Sequence, residues 1–203
     1  MTTSRPPAPD ERVTRFGDDV AFLRQHTDVI VLSGNDGRAK IAVAPAWQGR
    51  VMTSSAEGDG GESFGWINRD LISSGKLQPH INAFGGEDRF WLGPEGGQFS
   101  IFFAQGASFD LAHCFTPAAI DTEPYAVVRH ESDRVVFHHD CEVVNDSGFS
   151  LKLAVAREVR VLAAADALAE RGRTLPAGVS AVAFESANTI KNTGAAPWRR
   201  ETG

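Results

Sequence analysis

Apolar and polar positions alternate with period two through the second half of the chain. Leu151, Leu153, Val155, Arg157, Val159 and Val161 fall on one side, with Lys152, Glu158 and Arg160 opposite. Val135, Phe137, His139, Cys141 and Val143 repeat the pattern, and the intervening Asn145-Asp-Ser-Gly148 suits a hairpin turn. Successive strand side chains point to opposite faces, so these runs predict strands Arg134–Val144 and Ser150–Leu162 with one buried face. Shorter β-rich runs predict further strands at Val29–Leu32, Lys40–Val43, Arg50–Thr53, Ser63–Ile67, Gly97–Phe103, Tyr125–Arg129 and Gly178–Ile190. Clusters such as Asn35-Asp-Gly37 and Gly58-Asp-Gly-Gly61 separate them. Helical signals are few. Asp18 is placed to cap a helix running to His26, and Ala163–Glu170, closed by Gly172, predicts a second. The expected fold is all-β, an antiparallel sandwich with one or two short helices.

The polar, proline-rich start reads as a mobile leader over residues 1–17, followed by one β-domain over 18–203. The last residues, Ile190 to Gly203, read as a strand, a turn and the start of another strand, so the sandwich is expected to be incomplete at this end. An edge left open there invites pairing with a second copy. The net charge of -6 gives no basic footprint for nucleic acid. No apolar run is long enough for a membrane span and no secretory signal opens the chain, so a cytoplasmic protein is expected. Two cysteines, Cys114 and Cys141, make neither a disulfide framework nor a metal quartet. Dinucleotide, Walker, HExxH, EF-hand and CxxC patterns are absent, and no cofactor is expected.

The densest chemistry lies between Ser63 and Phe99, which holds Trp66, Asn82, Asp88, Trp91 and Glu95 among glycine-rich turns. Tryptophan faces stack on the C–H faces of sugars, while carboxylates, amides and guanidinium groups pair with hydroxyls. His80, Glu87 and Arg89 form the expected catalytic wall. Trp66 and Trp91 supply stacking surfaces, with Asn82, Asp88 and Glu95 as hydroxyl partners. The plain alternative is a structural loop in which Glu87-Asp-Arg89 is a local ion pair and the tryptophans are core anchors. Arg157 interrupts an apolar strand face, so it is either a buried ion pair or a ligand-facing group on a concave sheet. His138 and His139, adjacent on a strand, point to opposite faces and are poorly placed to share a metal.

Three stretches, Trp47-Gln-Gly-Arg-Val-Met-Thr53, Phe64-Gly-Trp-Ile-Asn68 and His80 to Gly97, together resemble an uncharacterised bacterial branch of the galactose-mutarotase-like proteins. The resemblance implies a β-supersandwich of which this chain is the N-terminal portion. It further implies acid/base chemistry at or near the anomeric carbon of a sugar, without a cofactor. Gly49-Arg50 stands where epimerases place a glycine and often an arginine. His80 with Gly85-Gly86 is similar to a His-Gly-Gly element, although here the histidine does not abut the glycines. In aldose 1-epimerases the partner base is a glutamate from the C-terminal half. A non-catalytic sugar-binding or structural sandwich module is the alternative.

Overall fold

The computed structural model describes residues 14–202. Two antiparallel sheets are formed. The first has the order β1 (Ile30–Ser33), β2 (Lys40–Ala44) and β3 (Arg50–Ser55). The second runs β4 (Ala126–His130), β5 (Arg134–Val144), β6 (Ser150–Leu162) and β7 (Ala183–Asn192). Helices α1 (Phe16–Leu23), α2 (Arg69–Ser74) and α3 (Ala164–Ala169) are short. The fold is the all-β, sandwich-like arrangement that the alternating pattern predicts.

One apolar core lies between the sheets. Leu32, Ile41, Val43 and Val51 from the first meet Val135, Phe137, Val155 and Val159 from the second, all fully buried. Each such side chain contributes about 1.5–3 kcal/mol relative to an exposed one. At the turn into β3, Gln48 and Gly49 both take positive φ. A Cβ on Gly49 would come within 2.6 Å of the Phe137 ring, so glycine is required there for close approach as well as for backbone shape. The Ser33 amide donates to the Ser132 carbonyl at 2.8 Å and ties the sheets together at one end.

Several expectations need correction. Ser63–Ile67 is not a strand. It lies along β3 through single contacts, the Phe64 amide donating to the Ser54 carbonyl and the Gly65 amide to the Thr53 hydroxyl, while Ile67 bridges to Gly85 outside the sheet. Gly97–Phe103 is also irregular. The Ser100 hydroxyl donates to the Glu95 carbonyl and accepts from the Phe102 amide, closing local turns, while Phe102 and Phe103 still reach the core. The first helix begins at Phe16, with Arg15 at the capping position; Asp18 lies in its first turn and caps nothing. That helix ends at Leu23 rather than His26, and α3 is shorter than expected at both ends. The final strand starts at Ala183 and runs to Asn192, later than Gly178–Ile190. The leader boundary also shifts, since Phe16 and Gly17 are helical; residues 1–13 lie outside the described residues. No helix among the described residues is long and apolar enough to cross a membrane.

Candidate functional site

The irregular segment between α2 and β4 carries most of the residues singled out from the sequence, and the structure distributes them over separate places. Asp88 and Arg157 form one. Arg157 sits on β6 with its side chain wholly buried, and its guanidinium bonds Asp88, the Gly49 carbonyl (3.1 Å) and the Asn188 amide oxygen (3.0 Å). Of the two readings left open for Arg157, the buried ion pair is the one realised.

Asn82 and Arg89 form a second place, organised by Asp121. The buried Asp121 carboxylate accepts from both the backbone amide (2.9 Å) and the side-chain amide (2.8 Å) of Asn82. Arg89 approaches the same carboxylate at 3.7 Å, donates to the Ile120 carbonyl, and lies over the Trp91 ring at 4.1 Å. Its guanidinium therefore braces the segment and covers one face of the indole. Burial lowers the Arg89 pKa from its ordinary value, with the nearby Asp121 opposing that shift.

Glu87 is set apart from both. Its carboxylate accepts from the Ser54 hydroxyl at 2.8 Å, and desolvation raises its pKa above the ordinary carboxylate value, the Ser54 bonds acting the other way. Trp66 is well exposed, and its carbonyl accepts from the Gly86 amide.

His80, Trp91 and Glu95 do come together. They share a hollow of about 220 Å³ with Ile81, Phe102, Leu111, Cys114 and Thr116. The Trp91 indole donates to Glu95 Oε1 at 2.8 Å. The His80 ring stacks on Phe115 with centroids 4.3 Å apart, and its Nδ1 lies 2.7 Å from the Cys114 carbonyl. A carbonyl only accepts, so Nδ1 carries the proton and Nε2 is the free position of the neutral ring. The hollow thus offers apolar walls, one imidazole and one carboxylate.

Arg50 is the buried residue that spacing alone did not place in a site. It is almost inaccessible, donates to the Gly85 carbonyl (3.0 Å) and to the Gln48 side-chain oxygen (3.4 Å), and its Nε has no partner among the described residues. Burial, reinforced by Arg89 and Arg157, lowers its pKa to about 10. The sequence signal for it is the Gly49-Arg50 pair after a turn. His138 and His139 separate as expected: His138 lies 3.1 Å from Asp140, while His139 reaches Glu123 at 3.0 Å and stacks on Tyr125. Among the described residues no group of three or more His, Cys, Asp or Glu is arranged to hold a metal.

A separate cavity of about 430 Å³ lies between the β1–β2 turn and the start of α3 and contains none of these residues. A family model described as a family of unknown function, DUF6786, matches residues 14–203. No curated protein and no solved structure matches the chain.

Proposed function

The chain belongs to the DUF6786 family, and we propose that it is a carbohydrate-active sandwich of the mutarotase-like class, taking a sugar in the hollow of His80, Trp91 and Glu95. The observation that carries this is the single hollow that three of the singled-out residues line. Its apolar walls suit the C–H faces of a pyranose. Glu95, exposed and bonded by the indole through one oxygen, offers the other to a hydroxyl.

The chemistry open to this hollow is proton transfer. Opening a sugar ring requires a proton delivered to the ring oxygen and one removed from the anomeric hydroxyl. With Nε2 also protonated, the His80 imidazolium delivers the proton to the ring oxygen while the Glu95 carboxylate removes the one from the anomeric hydroxyl, and neither step needs a cofactor. A non-catalytic binding module is the second reading. It is favoured by the internal bonds that occupy Asp88, Arg89 and Arg157, which leave fewer groups free for catalysis.

The test is a titration of aldoses and short oligosaccharides followed by tryptophan fluorescence, with NMR measurement of anomeric exchange in parallel. Glu95→Gln and Trp91→Ala should each weaken binding roughly tenfold, in the range of an aromatic or charged anchor. Because Trp91 also packs on Phe102, Glu95→Gln is the variant expected to leave the fold intact. Loss of exchange in His80→Ala with binding retained supports catalysis. Binding without faster exchange in the wild type supports the module. A panel in which no sugar perturbs the tryptophans overturns both.

A further inference from the structure

The four-stranded sheet has two outer strands, and their sequences treat their free edges differently. β4 has five residues, a register irregularity between Val127 and Arg129, two basic side chains in Arg129 and His130, and Pro124 just ahead of it. Short length, a bulge, basic charge and proline are the devices that stop an edge from recruiting another strand. β7 has none of the first two and no proline. Its ten residues pair with β6 from Ala183 to Asn192 without a register break. Among the described residues, its backbone makes no hydrogen bond except to β6.

The faces of β7 are fixed by that pairing. Phe184, Ser186, Asn188 and Ile190 oppose the inward residues Val161, Val159, Arg157 and Val155, so the even positions face inward and Glu185, Ala187, Thr189 and Lys191 face outward. Lys191 forms no ion pair among the described residues, whereas Glu185 is held by Arg160 at 2.7 Å. On the inward side Ile190 is 38% exposed, as is Trp198 beside it, and both border an apolar slot of about 320 Å³.

From these features we infer that β7 pairs antiparallel with β7 of a second copy, joining two four-stranded sheets into one. The two-fold axis passes at Asn188. In that register Ala187 of each copy stands opposite Thr189 of the other, and Lys191 of each stands opposite Glu185 of the other, twice over by symmetry. On the inward face Ile190 lies opposite Ser186 and diagonal to Phe184 of the other copy, so the exposed isoleucine gains an apolar neighbour. A one-residue slip would lose the charge match and turn inward side chains outward. This interface stands apart from the sugar hollow and does not rest on it.

Sedimentation analysis of the full chain across a concentration series tests the association, and cysteine pairing tests the register. The expected result is a dimer that Ala187→Cys combined with Thr189→Cys locks covalently under mild oxidation. The wild type controls for Cys114 and Cys141. Lys191→Glu, a change at an exposed side chain, should weaken the dimer roughly tenfold at low salt by placing carboxylates opposite each other at two positions, and less at high salt. A monomer at every concentration overturns the inference. So does a dimer that the cysteine pair fails to lock, since it would use another face.

Discussion

Arg157 and Asp88 share one ion pair from unequal positions. The arginine side chain is wholly buried, while the aspartate retains 30% of its side-chain surface. Removing the aspartate leaves a buried cation with only the Gly49 carbonyl and the Asn188 amide for company. Removing the arginine leaves a carboxylate that water can reach. Truncating one partner of a buried pair costs about 3–5 kcal/mol when the other charge is stranded, and much less when it can rehydrate. Asp88→Ala should therefore destabilise by about 3 kcal/mol and Arg157→Met by less, in urea denaturation of the two variants. Equal losses, or a larger one for Arg157→Met, would mean that the hydrogen bonds to Gly49 and Asn188 matter more than the charge. The need for a partner was legible in the sequence, because a charge on an apolar strand face must be compensated. The partner itself was not, since Asp88 lies 69 residues away and reaches β6 only after the sheets have packed.

At the scale of elements, β5 and β6 were legible to the residue, since each turns one face to the core, buried along most of its length, and has a long alternation to display it. Ser63–Ile67 and Gly97–Phe103 have strand-like composition without strand partners. In the first, Gly65 explains why. A Cβ there would meet the Met52 carbonyl oxygen at 2.1 Å and Thr53 Cα at 2.8 Å, so the segment presses edge-on against β3 instead of extending it. Gly65→Ala should therefore force this segment off β3 and lower stability by about 2 kcal/mol or more, as overpacking against an immobile backbone does. Gly60→Ala, where nothing lies within 4 Å, should stay within about 0.5 kcal/mol of wild type. Melting both variants checks the contrast. Comparable transitions would show that the 63–67 segment yields without cost. The same local packing governs the candidate site. His80, Trp91 and Glu95 meet because the irregular stretches around residues 80, 91–95 and 111–116 converge, and no periodicity in the sequence records such a convergence.

For the whole molecule, the distribution of strands sets how it should open. The core is continuous between the two sheets, with Phe137, Val155 and Val159 against Ile41, Val43 and Val51. The facing sides of the two sheets bury each other, while the outer side of the first, with Ala42, Ala44 and Met52, is covered by α1, α2 and Phe84, so β2, β3, β5 and β6 form one cooperative unit. Residues 75–125 belong to it differently. They contain one short 3-10 turn, Ala118–Ile120, and no strand, and they are held by dispersed contacts such as Phe102, Phe103 and the Asp121–Asn82 bonds. Segments with few backbone ladders open at lower free energy than the sheets they cover. Native-state hydrogen exchange should thus show amides of β5 and β6 exchanging only through global unfolding, with those of residues 75–125 exchanging faster through local opening. A saturating sugar would narrow that gap most at His80–Glu95, because a ligand bound only by the closed hollow adds its binding free energy to closure. Uniform protection across both regions would mean that the loops are as integral to the core as the strands. Two separate global transitions would mean that each sheet folds without the other. A sugar that bound yet left His80–Glu95 unchanged would place the binding surface elsewhere on the sandwich.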